Sequence, residues 1–296
     1  MPTVLAISSE VAAGYVGLTA MRPALQALGH DVIGLPTVLL SNHPGHGLTA
    51  GGATPPAALR DLLRVLDERG TLAEIDAVIT GYLPTDGHVA FAADAIRMVR
   101  QRARTRTTPV IAVDPVFGDW PNGAYLPDTT IAALIEDLAP LADIITPNVF
   151  ELSVIAGCAD DAQAIAAASY GEVARIARPI AGQSRGKRTV VTTSVGIASG
   201  GDHIANVAVG PDDDLSVAFT VPRTDRAPNG TGDLFTALAI GHTLIEGRGG
   251  VNAFGRATAG VALTLSDQGD TRDLRLVAAL PKLRDVTPVP STHVST

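Results

Sequence analysis

Asn229-Gly230-Thr231-Gly232-Asp233 is the segment whose residue types and spacing point most directly to chemistry. Two glycines bracket a threonine, and an apolar run starts at Leu234. Glycine lets backbone approach a ligand closely and turns successive N–H groups one way. The start of a helix adds a partial positive charge. The segment therefore reads as an anion hole, with Asp233 in the first helical turn at its mouth. A carboxylate is repelled by a bound anion, so its presence there needs a further reason. A general base supplies one: it takes a proton from an attacking hydroxyl while the hole holds a transferring phosphoryl group. A helix-capping carboxylate in a Gly-rich turn is the other reading of the same five residues.

Such residues need elements to position them. Thr3 to Ile7 is a short unbroken apolar run, which suits a strand covered on both faces. A helix over Leu18 to Leu28 follows, with Gly29 where a C-terminal cap belongs. Asp31 to Leu35 reads as a second strand, and Pro36 to Thr54 as a long loop bearing His43 and His46. Thr54 offers an N-cap and Pro55 a first helical position. Leu59, Leu62, Leu63 and Leu66 then repeat at helical spacing. Further strands are expected at Ala77 to Thr80, Val110 to Val113, Asp143 to Thr146 and Thr189 to Thr192. The helices between them are Gly87 to Arg102, Thr130 to Leu138, Glu151 to Ala156 and Asp160 to Ala177. Ile204 to Val209 and Leu215 to Val221 suggest an antiparallel pair joined by the acidic turn Pro211-Asp212-Asp213-Asp214. Helices over Thr231 to Ile245 and Val251 to Ser266 end the pattern. Strands alternating with helices predict an α/β fold with a mostly parallel sheet and helices on both faces. Residues 1–285 read as one domain and the Pro/Ser/Thr-rich residues 286–296 as a disordered tail. In such a sheet ligands sit beyond the carboxyl ends of strands. That directs attention to Ser8 and Ser9, Thr37, Gly81 and Tyr82, Asp114, Thr146 to Asn148, and Thr192 to Ser194.

Composition narrows the partners. The chain has 296 residues, with 22 Lys and Arg against 30 Asp and Glu, a formal charge of −8. Nucleic acid or an anionic membrane as main partner would need a basic footprint instead. A single cysteine, Cys158, excludes an intramolecular disulfide and reads as structural. The first residues carry no basic, apolar leader pattern, and no apolar run reaches the roughly 20 residues of a membrane span. The expectation is a soluble cytoplasmic protein.

Gly230-Thr231-Gly232-Asp233 resembles the G-T-G-D signature of ribokinase-like small-molecule kinases. Three more segments resemble pyridoxal kinases in particular: Leu35-Pro36-Thr37-Val38-Leu39-Leu40-Ser41-Asn42-His43-Pro44 with Gly51-Gly52, Asp114-Pro115-Val116-Phe117-Gly118-Asp119, and Ile145-Thr146-Pro147-Asn148-Val149-Phe150-Glu151-Leu152. They occur in the family's order and span nearly the whole chain. The resemblance implies a ribokinase-like fold with a small β/loop lid. It implies transfer of the ATP γ-phosphoryl group to the 5′-hydroxymethyl of pyridoxal, pyridoxine or pyridoxamine. By the same match Asp233 is the base, and the backbone of Asn229, Gly230, Thr231 and Gly232 binds the moving phosphoryl group. Ser9, Thr37 and Tyr82 would line the vitamin pocket. Asp114, Thr146, Glu151 and Thr192 would face ATP. Glu151 and Asp114 would face Mg²⁺, with Asn148 on a metal-bound water and Asp119 a weaker candidate. The Tyr125 backbone carbonyl would serve a monovalent cation such as K⁺. The family implies a homodimer.

His43 and His46 lack an evident third metal ligand and read instead as parts of a loop that closes over substrate. Glu10, Ala13 and Ala50 depart from the family pattern beside the pocket. Glu10 would favour an amine or protonated pyridine, or point to solvent. Two alternatives share the fold: a hydroxymethylpyrimidine (phosphate) kinase, and a non-catalytic binder of vitamin or nucleotide. A dinucleotide-dependent oxidoreductase would need a G-x-G-x-x-G after the first strand, and Gly14 and Gly17 are spaced differently.

Overall fold

A computed structural model describes residues 1–103, 108–183, 188–197, 199–211, 215–224, 227–247, 250–266 and 271–295. Asp212, Asp213 and Asp214 of the expected acidic turn lie outside them. The chain opens with β1 (Thr3–Val11), α1 (Leu18–Ala27), β2 (Asp31–Leu40), β3 (Gly51–Ala53) and α2 (Pro56–Glu68). Next come β4 (Ala77–Thr80), α3 (Asp86–Arg102), β5 (Val110–Val113), the short strands β6 (Gly118–Asp119) and β7 (Gly123–Ala124), and α4 (Asp128–Ala133). β8 (Ile144–Ile145), α5 (Val149–Ile155), α6 (Ala162–Ala166), α7 (Tyr170–Gly182) and β9 (Thr189–Val195) follow. β10 (His203–Val209), β11 (Ser216–Pro222), α8 (Thr231–Glu246), α9 (Val251–Leu265), α10 (Leu276–Leu283) and β12 (Ser291–His293) complete the order.

The main sheet runs β12-β11-β10-β9-β8-β5-β4-β1-β2-β3, and β6 pairs with β7 apart from it. Strands β2, β1, β4, β5, β8 and β9 are parallel, whereas β3 and β10 to β12 add antiparallel edges. Alternation of side chains explains the unbroken apolar strands. Leu5, Ile7, Val78, Ile111, Val113 and Ile145 face one core, built with α2, α3, α5, α6 and α7. Their neighbours Val4, Ala6, Ala77, Ile79, Val110 and Ile144 face the other, built with α1, α8, α9 and α10. Both faces of the parallel strands are thus buried, which removes polar residues from both sides.

Several boundaries differ from expectation. β2 runs on to Leu40 instead of stopping at Leu35, and Pro36 sits where the register with β1 shifts between Ser8 and Glu10. A bulge is one of the few places where a strand tolerates a residue without an N–H. The expected long loop is therefore shorter: it covers Ser41 to Ala50, holds a single 3₁₀ turn at Pro44–His46, and returns as β3. Pro55, not Thr54, caps α2. The Asp160 to Ala177 helix divides into α6 and α7 because Ser169 caps the second piece by accepting from the Glu172 N–H. α4 passes at Leu134–Leu138 into a π turn. The tail expectation is corrected most clearly. Ser291, Thr292 and His293 pair with Phe219, Ala218 and Val217, and Val294 is buried. Edge strand β11 has unpaired backbone groups to satisfy, and the tail supplies partners for them.

Candidate active site

The Gly-rich segment lies where α8 begins. Gly230 has φ 93° and ψ 0°, and a Cβ built there would stand 2.0 Å from the Tyr15 carbonyl oxygen. Only glycine meets both demands. Gly232 is freer: its nearest neighbour for a Cβ is Asp114 Oδ2 at 3.9 Å. The first turn of α8 leaves backbone N–H groups that the helix cannot bond. Asp233 stands in that turn and accepts the Gly17 backbone N–H. Burial outweighs this bond and pushes its pKa up to about 6. Gly17 also packs on Ser9, since a Cβ on it would meet Ser9 O at 2.2 Å and Oγ at 2.3 Å. One glycine thereby sets Ser9 beside Asp233.

A second carboxylate lies under the hole. Asp114 follows β5 and is buried. Thr236, one turn along α8 from Asp233, donates its hydroxyl to Asp114 Oδ2 at 3.2 Å and shares a 2.9 Å hydrogen bond with Thr146 Oγ1. Thr146 also hydrogen-bonds Asp114. Burial, then the charges of Glu151 and Asp233, hold the Asp114 carboxyl well above the usual range despite these donors. Thr146 thus reaches Asp114 and Thr236 rather than presenting an idle hydroxyl at its strand end. Val116, two residues on, has φ 41°, and Ser194 has φ 59°; among the described residues these are the non-glycines at positive φ. Backbone strain of this kind gathers at working sites, and here it marks the two turns after β5 and within β9.

Glu151 and Asn148 form a capping box at the start of α5. Glu151 accepts from the Asn148 N–H at 2.9 Å and the Phe117 N–H at 3.0 Å. Burial still raises its pKa to about 7. Asn148 Oδ1 accepts from Phe150 and Glu151, and its amide donates to Gly118 O at 2.8 Å. Its side chain therefore fixes the Phe117–Gly118 turn. Tyr125 donates its N–H to Phe117 O at 2.9 Å. Desolvation, then the charges of Glu151, Asp114, Asp119 and Asp233, keeps its phenol protonated. No three His, Cys, Asp or Glu side chains among the described residues converge tightly enough to hold a metal ion by themselves.

The remaining expected residues separate into three situations. Thr37 and Tyr82 do come together: Thr37 donates to the Tyr82 carbonyl at 2.7 Å, and Ser8 accepts the Tyr82 N–H at 3.2 Å. Thr192 lies inside β9 rather than at its end, buried, with no hydrogen-bond partner for its hydroxyl among the described residues. The Asn229 side-chain amide lies 3.1 Å from His43 Nδ1, which leaves its backbone N–H in the Gly-rich turn. Glu10 is paired with Arg22 of α1 at 3.4 Å. Sequence reasoning missed Thr236 and the part played by Gly17. A helix-spacing check from Asp233 would have raised Thr236; no local signal marks Gly17 as a partner of Asp233.

Comparison with known proteins shows the family of the chain. The family described as phosphomethylpyrimidine kinase matches residues 70–273. The chain is 30% identical to pyridoxal kinase PdxY of Corynebacterium diphtheriae over 277 residues, covering 93% of each protein. It is 35% identical to a pyridoxine/pyridoxal/pyridoxamine kinase of Bordetella bronchiseptica over 241 residues, covering 81% of each. The structure of Leishmania donovani pyridoxal kinase in complex with ADP and ginkgotoxin superposes with a TM-score of 0.82 at 26% identity, covering 99% of both chains. That of Entamoeba histolytica pyridoxal kinase reaches 0.86 at 23% identity over 99% of this chain and 100% of that one, a likeness of fold. With four motifs in order, a ribokinase-like sheet and relatives matched along most of their length, the chain belongs to the pyridoxal kinase family.

Proposed function

We propose that this kinase moves the γ-phosphoryl group of ATP to the 5′-hydroxymethyl of pyridoxal, pyridoxine or pyridoxamine. One observation carries the reading: a half-buried carboxylate whose pKa is raised to about 6, Asp233, stands at a helix start opened by Gly230. Ionised Asp233 takes the hydroxyl proton as the oxygen attacks phosphorus. The N–H groups of the Gly230 to Gly232 turn hold the charge of the moving group. Phosphoryl transfer asks mainly for such positioning and charge neutralisation. Ser9, held to Asp233 through Gly17, contacts the vitamin ring, and Thr37 and Tyr82 close its far side. Thr146 acts through Asp114, and the unpartnered Thr192 hydroxyl faces ATP.

The acidic set fits Mg²⁺ in one specific sense. Asp114 is buried, with Glu151 and Asp233 bearing on it and only hydroxyl donors to offset them. The site is short of positive charge, and Mg²⁺ keeps most of its waters while using few protein carboxylates. Asp114 would hold it, with Glu151 behind, its oxygens already committed to N–H groups. Bound there, the ion neutralises phosphate charge. A K⁺ ion at the Tyr125 carbonyl belongs to the same proposal. So does a cytoplasmic homodimer, supported by exposed Leu39, Leu62 and Val65 beside the open edge of β3. Among the described residues no helix is long and apolar enough to cross a membrane.

The test is ATP consumption by the purified protein with Mg²⁺, with and without K⁺, offering the three vitamers and hydroxymethylpyrimidine. Turnover on the vitamers is expected. Turnover on the pyrimidine alone would leave Asp233 as base and overturn the roles given to Ser9, Thr37 and Tyr82.

A further inference from the structure

The loop between β2 and β3 reaches across the Gly-rich segment. His43 Nδ1 lies 3.1 Å from Asn229 Nδ2 and 3.1 Å from the Gly45 nitrogen. The Gly45 backbone N–H can only donate. Nδ1 must therefore present a lone pair, which makes the imidazole the neutral Nε2–H form. His46 stands edge-on to His43 with centroids 5.9 Å apart, and its Nδ1 is 3.8 Å from Asp273 Oδ1. The loop is also tied within itself. Asn42 donates to Thr49, Ser41 accepts the Ala50 N–H, and backbone bonds Ser41 N to Ala50 O and Ala13 N to Ser41 O close its stem. It can therefore move as one piece. Asn229 directly precedes Gly230, which has no room to shift against Tyr15.

We propose that His43 is a positioning residue whose neutral imidazole latches loop 41–50 onto Asn229, so that covering the substrate and setting the Gly-rich turn become one event. This rests on the kinase reading of the site. His43 touches no reacting atom and acts through Asn229. The groups that bear on it are His46 in its own loop, Asp273 between α9 and α10, and Asp119 of β6. Burial and His46 lower its pKa, and the two carboxylates oppose them without prevailing. Protonation would place a hydrogen on Nδ1 against two donors, so acid releases the latch.

Hydrogen exchange of the loop amides at pH 7.5, without substrates, tests the latch directly. The reporters are the His46 and Gly47 amides, which bond His43 O and Pro44 O. His43→Asn keeps a cap for Gly45 but ends short of Asn229; Asn229→Ala removes the partner. Each is expected to speed exchange by about 3- to 10-fold, the worth of one neutral hydrogen bond, and the double variant no further. The imidazole ¹⁵N shifts should show an unprotonated Nδ1. KM for the alcohol should rise by a similar factor in both single variants, with kcat changing less. Additive effects, unchanged exchange in Asn229→Ala, a protonated Nδ1, or coupled exchange with unmoved KM would each overturn the proposal. Exchange and ¹⁵N shifts judge the latch whether or not vitamers turn over; a native protein with no turnover on any alcohol would instead overturn the kinase reading.

Discussion

At the scale of single residues, Asp233 bears the most weight. Asp233→Asn keeps an acceptor for the Gly17 N–H but cannot take a proton. It should lower kcat by roughly 10² to 10⁴ and leave KM for ATP little changed; steady-state kinetics with each substrate varied checks both. Because the base works ionised and its pKa is about 6, kcat/KM for the alcohol should rise with pH through about 6 and then level. An activity flat from pH 5 to 8 would remove Asp233 from the rate. Thr236 offers a second test. Thr236→Val keeps the shape but deletes the hydroxyl joining Asp114 to Thr146. The Asp114 carboxyl then moves higher still, and KM for Mg·ATP should rise about 3- to 10-fold, the value of one buried hydrogen bond. Asp233 and Gly230 were legible in the sequence because their chemistry is local: a left-handed turn, a helix start and a carboxylate within five residues. Thr236 and Gly17 were not, since each matters through a partner far away in the chain, Asp114 and Asp233 respectively. Glu10 was open for a different reason: its ion-pair partner Arg22 is near in the chain, but only the packing of α1 on β1 shows that the two meet.

At the scale of elements, the strand-to-helix passage into α8 makes its two glycines unequal. Gly230→Ala would force an alanine into the left-handed region, at about 1 to 2 kcal/mol, and drive its Cβ against the Tyr15 carbonyl. Gly232→Ala meets nothing closer than 3.9 Å. The first variant should lose most activity and melt lower; the second should melt near the native protein while its kinetics report only how closely phosphate approaches. Equal melting losses would contradict the packing. The parallel strands were legible because both their faces are apolar. The run of β2 on to Leu40 was not, because the Pro36 signal for a strand end was overridden by pairing on both sides of β2. Ser169 with Glu172 three residues later carried a cap signal inside the expected Asp160 to Ala177 helix; the apolar period ran across it and masked the break.

At the scale of the whole molecule, the tail and the base both enter the stability of the fold. Residues 287–295 supply β12, a Val289 N–H bond to Gly255 O, a Val294 N–H bond to Ser216 O and the buried Val294. Deleting them should cost about 1 to 3 kcal/mol, the range for burying one such side chain, seen as a lower melting temperature. Asp233 acts in the opposite sense. Its pKa rises from 3.8 to about 6 on folding, so the fold prefers the protonated form. Below pH 4 both states hold the proton and no difference arises. As pH climbs through 6 the unfolded chain gives up the proton more readily, and the native state loses stability. Asn at this position escapes that loss. Asp233→Asn should therefore melt above the native protein at pH 8, by on the order of 1 to 2 kcal/mol, with the gap closing by pH 4. Thermal melts at pH 4, 6 and 8 decide it. A gap independent of pH would assign the gain to packing. A gap that opens with pH would show that the carboxylate destabilises the fold it serves, because catalysis needs a base that burial has made reluctant to ionise.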